Sequence, residues 1–133
     1  MSRVVEVLQT VLPVLVIETE DSVFYAELED NPSAQALVER LEREGPVTVE
    51  MHDYGGFEKV GALPWALERS DETITTAPGD VILYQGDQIT IYYGENTWSF
   101  TRLARIRGET RETLLAALGG GSVAVTFSAE RGA

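Results

Sequence analysis

Apolar and polar residues alternate along most of the chain, a pattern typical of short β-strands with one buried face. The segments are 13–18 and 22–28, which flank an acidic turn, then 47–52, 72–76, 81–84, 88–93, 98–106 and 122–128. Residues that favour turns separate them about every ten positions, as in an all-β sandwich or barrel. The pattern therefore predicts about eight strands, with 72–76 as an edge strand.

Two segments carry the signals of helices instead. Asn31-Pro32 provides an N-cap and a first-turn proline, and apolar residues then recur on one helical face until Gly45-Pro46. A second short apolar segment begins at Thr110 and ends before three consecutive glycines. We therefore predict helices over residues 32–43 and 110–118.

Length and charge narrow the function classes. A chain of 133 residues suits one domain, here 1–133, with residues 1–10 as an N-terminal arm or an extra strand. Its 22 acidic and 10 basic residues leave a net charge of −12. Such a surface repels phosphate groups, so we expect neither nucleic acid nor an anionic membrane as a partner. The acidic surface either only solvates the protein or attracts a basic partner.

The absence of cysteine removes several kinds of chemistry. Disulfides, thiol nucleophiles and cysteine-ligated metal sites are excluded, and a single histidine, His52, excludes a multi-histidine site. No EF-hand spacing, phosphate-binding loop, dinucleotide fingerprint or nucleophile motif occurs. We expect no metal and no organic cofactor.

The N-terminal apolar segment, 7–17, is not typical of an export signal. It contains Pro13, follows Glu6, lacks a cleavage site and leads directly into four polar residues. It is also shorter than the ~20 apolar residues that cross a bilayer. We interpret it as one or two strands of a cytoplasmic protein.

Three phrases suggest a particular family. In order they are MHDYGGFEKVGALP at 51–64, APGDVILYQGDQITIYY at 77–93 and SFTRLARI at 99–106. Together they resemble the small prokaryotic cyclophilin-like domain family, over about residues 11–128. The resemblance implies a closed antiparallel β-barrel of about eight strands, with the two helices covering its open ends. It implies no particular activity, because the family has no settled one.

The loop around two glycines is the first candidate site. It brings Tyr54, Phe57, Glu58 and Lys59 close together, and glycine lets the backbone approach a ligand. Lys59 is the only lysine of the chain. The loop is either a structural turn or a binding loop.

Arg102 is the second candidate. It lies among Trp98, Phe100, Ala104 and Ile106 at alternate positions of one predicted strand. Because a guanidinium keeps its charge, it requires a carboxylate partner or a place at the rim of the barrel. We predict that Arg102 pairs with a carboxylate of residues 53–58. A β-bulge that turns it outward, or a purely structural ion pair, is the alternative.

Aromatic residues on neighbouring strands form the third candidate group. Tyr92, Trp98 and their neighbours are either core residues or a flat wall for a peptide or a small ring. Tyr84-Gln85-Gly86-Asp87 resembles part of the cyclophilin active-site phrase but lacks its arginine and phenylalanines, and no histidine follows later in the chain. The departures predict a poor prolyl isomerase.

The patterns together predict a binding domain, with no more than weak activity, for a small polar ligand or a short peptide. We place the site at a mouth of the barrel, and a homo-oligomer is compatible with the sequence. One alternative is an enzyme related to prolyl isomerases or to subunits of amide hydrolases; the other is an interaction module without a pocket. Whether the protein is an enzyme stays open. The predicted ligand-binding residues are Tyr54, Phe57, Glu58, Lys59, Tyr92, Trp98 and Arg102.

Overall fold

A computed structural model describes residues 13–131; the arm or extra strand predicted for 1–10 lies outside this range. The described residues form nine strands and two helices. The strands are β1 Pro13–Glu18, β2 Val23–Leu28, β3 Val47–Tyr54, β4 Glu58–Ala62, β5 Glu72–Thr75, β6 Asp80–Tyr84, β7 Gln88–Tyr92, β8 Thr97–Ile106 and β9 Val123–Arg131. The helices are α1 Pro32–Glu44 and α2 Arg111–Leu118.

Eight antiparallel strands close into a barrel. Their order is β2-β1-β9-β3-β4-β7-β6-β8, and a further pairing of β8 with β2 closes the sheet. The ninth strand, β5, lies outside the barrel and pairs with the first residues of β8, 97–100. The predicted fold is confirmed. It includes the edge strand that begins at residue 72 and the closed barrel that the resemblance implied.

One apolar cluster fills the interior, because the strands turn alternate residues inward. Leu15, Met51, Ile89, Ile91 and Phe127, from strands all around the barrel, have no exposed surface. Both helices add leucines to the same cluster. A second, smaller apolar cluster of Ile82, Tyr92 and Phe100 lies apart from it. The sheet around β6 and β7 thus has buried side chains on both faces.

Helix α1 begins as its sequence predicts. The side chain of Asn31 accepts a hydrogen bond from Ala34 N at 2.8 Å, and Pro32 occupies the first turn. Thr110 caps α2 in the same way, and its side chain accepts from Thr113 N. No helix among residues 13–131 is long and apolar enough to cross a membrane.

Two local predictions are wrong. The loop predicted around the two glycines, residues 53–57, is shorter than expected, because β3 continues to Tyr54 and pairs it with Glu58. Only residues 55–57 turn the chain, and Gly55 and Gly56 provide the positive φ values of 65° and 77° that the turn needs.

The single apolar face predicted for the strand 98–106 does not exist. A bulge opposite Val81 and Ile82 leaves Leu103 without a partner in the register. Phe100 therefore lies in the smaller cluster, whereas Ala104 and Ile106 lie in the barrel interior. An extra residue in one strand moves the following side chains to the other face.

Candidate functional site

A groove of about 450 Å³ lies on the outer face of the barrel, over β4, β6, β7 and the start of β8. The alternation of β7 explains its floor: Ile89 and Ile91 point into the interior, so Thr90 and Tyr92 point outward. On β4, Glu58 and Val60 share this outward side. The complete lining is Tyr54, Phe57, Glu58, Val60, Tyr84, Gln85, Gln88, Thr90, Tyr92, Asn96, Trp98 and Phe100.

Aromatic rings form the walls of the groove. Phe57 stacks on Tyr92 with ring centroids 6.1 Å apart, and Tyr92 lies 5.8 Å from Phe100. At the two rims, Tyr54 is 63% exposed and Trp98 is 58% exposed. Ligand sites are usually concave and lined by aromatic rings, because a bound ligand can cover the apolar face of each ring.

Backbone contacts hold the Phe57 wall in place. The amide groups of Tyr93 and Gly94 both donate to the carbonyl of Phe57, at 3.0 and 3.1 Å. Gly94 is required there because a Cβ at this position would lie 2.6 Å from Cβ of Phe57. The turn after β7 thus fixes the position of one groove wall.

Glu58 is the one carboxylic acid in the lining of this groove. Its residue is only 7% exposed, and burial raises the pKa of its carboxyl to about 7. The nearby Tyr92 hydroxyl partly offsets the increase, whereas the charge of Asp53 adds to it. Asn96 donates in turn to the Tyr92 hydroxyl at 3.3 Å. The carboxyl is therefore partly protonated near neutral pH.

Lys59 points to the other side of the same strand. Its side chain has no exposed surface, and its Nζ donates to the carbonyl of Gly121 at 2.6 Å. Nζ forms an ion pair with Oδ1 of Asp53 at 3.9 Å, and the Tyr93 hydroxyl donates a hydrogen bond to the same oxygen. Burial lowers the pKa of Lys59. The hydrogen bond from Tyr93 lowers the pKa of Asp53, with smaller contributions from Lys59 and Arg111. Lys59 thus joins β4 to the loop before β9 and does not face the groove.

The model of the cyclophilin-like family matches the chain over residues 17–128. This match covers most of the chain and includes every strand except parts of the first and last. The chain belongs to the cyclophilin-like family. No curated protein matched this cyclophilin-like chain.

A solved structure, described as McbB in complex with tryptophan, has a similar fold. The TM-score is 0.58 and the sequence identity is 17%. The matched region covers 86% of this cyclophilin-like chain but 44% of the other protein, so this chain spans less than half of that protein's length. At this identity the likeness concerns the fold.

Arg102 does not pair with residues 53–58 of the cyclophilin-like barrel, so that prediction is wrong. Its Nε lies 3.3 Å from Oδ2 of Asp80, and its Nη1 lies 3.4 Å from Oε1 of Glu29. Arg105 approaches the same two acids. The bulge at Leu103 explains the difference, because it brings two arginines of β8 to one side of the strand. Arg102 belongs to a structural ion-pair cluster and does not line the groove.

The structure thus brings together five of the seven predicted site residues of this cyclophilin-like domain. They lie on the outer face of the sheet and not at a barrel mouth, which corrects the predicted location. Those in the groove are Tyr54, Phe57, Glu58, Tyr92 and Trp98. The predicted set lacked the polar residues of the β6–β7 hairpin and their neighbours. They are Gln85, Gln88, Thr90 and Asn96. The signal was available for Gln88 and Thr90, because they alternate with the apolar core residues of β7. Gln85 and Asn96 lie in the turns on either side of β7 and had no such signal.

A second groove, of about 790 Å³, lies between β2 and α1 of the cyclophilin-like barrel. Both arginines of its lining already form ion pairs: Arg107 contacts Glu27 at 3.0 Å, and Arg131 contacts Glu42 at 2.7 Å. It also reaches Pro13, the first described residue. Within residues 13–131, no group of three or more histidine, cysteine, aspartate or glutamate side chains is placed to hold a metal ion.

Proposed function

We propose that this cyclophilin-like domain binds a small polar molecule or a short peptide in the groove on its outer face. The observation that supports this most is the combination of exposed rings at both rims with a nearly buried ionisable group below them. The volume is within the roughly 300–1,000 Å³ typical of small-molecule sites. Tyr54, Phe57, Tyr92 and Trp98 provide apolar faces, and Glu58 provides the polar group that orients a ligand.

The amide and hydroxyl groups of the floor add to this proposal. Gln88, Thr90 and Asn96 face the groove and offer both hydrogen-bond donors and acceptors. A ligand with one flat apolar part and one polar part would fit such a lining. The similar fold of McbB, which was solved with tryptophan, is consistent with a small-molecule ligand but does not identify one here.

The proposal is tested by recording amide NMR spectra of the protein while a set of small aromatic compounds is added. We expect shifts in the backbone signals of residues 54–60 and 84–100, and weaker binding after Trp98→Ala. Tyr25→Ala is the matched control, because Tyr25 is 61% exposed but lies on β2, away from this groove. Shifts that cluster around β2 and α1, or equal effects of both substitutions, would contradict the proposal.

A further inference from the structure

The only charged side chain in the lining of the groove is negative. Of its twelve lining residues, Glu58 alone is an acid, and none is lysine, arginine or histidine. The remaining residues are aromatic, amide, hydroxyl-bearing or aliphatic. The net charge of −12 strengthens the negative potential of this surface. An anionic ligand would therefore be repelled, whereas a cation would be attracted.

Glu58 also has no counter-ion in the part of the chain that the structure describes. Among residues 13–131, no lysine, arginine or histidine nitrogen lies within 4.0 Å of its carboxylate, although ion pairs of that length occur elsewhere in the chain. Asp53, by contrast, is compensated by Lys59, Tyr93 and Gly56. A carboxylate that is nearly buried and unpaired is costly to the folded protein, and a cation in the groove would remove that cost.

The aromatic walls favour the same kind of ligand. The face of an aromatic ring carries negative charge density, so rings around a cavity attract an ammonium group in addition to burying apolar surface. Phe57, Tyr92, Phe100 and Trp98 all border the space in front of Glu58. One acid among several rings is a suitable arrangement for a cation that carries an apolar body.

We propose that the ligand of this groove carries an ammonium group on an apolar or aromatic body, with the ammonium at the Glu58 carboxylate and the body against the rings. This inference rests on the proposed function of the groove and specifies the charge of its ligand. The ammonium can belong to a free amine or to the lysine side chain of a peptide, since both present the same chemistry.

Proton binding by Glu58 gives this proposal a pH dependence. The other ionisable groups that line the groove are Tyr54 from β3, Tyr84 from β6 and Tyr92 from β7, and the charge of Asp53 acts on Glu58 from the side of the sheet where Lys59 lies. Of these, Asp53 has a lowered pKa and Tyr92 a raised one, so neither changes charge near neutral pH. The pKa of Glu58 itself is about 7. Affinity for an ammonium should therefore increase with pH as Glu58 ionises.

Isothermal titration calorimetry with three compounds of one skeleton tests the charge: phenethylamine, 2-phenylethanol and phenylacetate. Near pH 8 we expect the cation to bind ~10-fold more tightly than the alcohol, and the anion to bind least. The association constant for phenethylamine should increase ~10-fold between about pH 6 and about pH 8. An N-acetylated, C-amidated peptide, Ala-Lys-Phe-Ala, distinguishes the two sources, because the tighter of the amine and the peptide identifies the natural class.

Glu58→Gln separates the charge from the shape of the site. We expect it to weaken phenethylamine binding ~10-fold and to abolish the pH dependence, while binding of 2-phenylethanol stays unchanged. Glu50→Gln, an exposed acid on β3, is the matched control and should alter neither.

The possible failures are distinguishable. Equal binding of the cation and the alcohol, or unchanged pH dependence in Glu58→Gln, would overturn the charge proposal and leave the groove as a binding site. Absence of binding by all four compounds would count against the cation proposal and, together with a negative NMR screen, against the groove itself.

Discussion

Replacement of Glu58 by glutamine should stabilise the free protein at alkaline pH. The carboxyl has a pKa of about 7 in the folded chain and 4.5 ordinarily, so the folded state binds more protons than the unfolded state between these values. The contribution of Glu58 to the free energy of unfolding is therefore largest below pH 4.5, and it decreases as the pH increases to about 7. Glutamine keeps the shape of the side chain and an oxygen that accepts hydrogen bonds, without the charge.

The magnitude follows from the size of that pKa difference. Each pKa unit corresponds to ~1.4 kcal/mol, so the difference between about 7 and 4.5 sets an upper limit of ~3.5 kcal/mol. The groove is open to water, which reduces the cost of the charge, so we expect a gain of about 1–2 kcal/mol near pH 8.

Urea unfolding of both proteins across the pH range measures this gain. The difference should be small near pH 5 and reach its full value near pH 8. A Glu58→Gln protein that is less stable than the parent at pH 8, or equally stable at every pH, would refute the reasoning.

Three further predictions concern the rest of the barrel. Arg102→Met should reduce the free energy of unfolding by about 1–3 kcal/mol, because Asp80 and Glu29 then share Arg105 as their remaining partner. Arg107→Met removes an exposed ion pair and should reduce the free energy of unfolding by less than about 0.5 kcal/mol. Equal effects in urea unfolding would contradict this. Gly94→Ala should displace Phe57, cost about 1–3 kcal/mol and weaken ligand binding, whereas Gly120→Ala, in open space, should cost little. Unchanged stability and binding in both variants would show that Gly94 does not position the wall. Finally, a protease-coupled assay on a proline tetrapeptide should give little turnover above the uncatalysed rate, and robust turnover would show that the departures from the cyclophilin phrase do not prevent isomerisation.

The fold could be predicted because local signals and the resemblance agree. The alternation in 13–28 and 47–52, the Asn31-Pro32 start of α1 and the glycine-rich turns each have a direct physical basis. Closure of the barrel came from the resemblance, since strand alternation alone is equally compatible with a sandwich.

The site was harder to predict, because it depends on which way each strand faces. Tyr92 and Tyr93 are adjacent in sequence, yet one lines the outer groove and the other lies in the core. Glu58 and Lys59 differ in the same way. The apolar partners Ile89 and Ile91 could have indicated these orientations. The bulge at Leu103 had no such signal, so the partners of Arg102 could be found only from the structure.

A crystal structure of the protein with bound phenethylamine tests the central claim most directly. We predict that the ammonium lies about 3 Å from the Glu58 carboxylate and that the phenyl ring packs between Phe57 and Trp98 on the outer face of the barrel. An amine bound in the groove between β2 and α1, or beside Asp80 and Glu29, with the outer-face groove empty, would contradict the account.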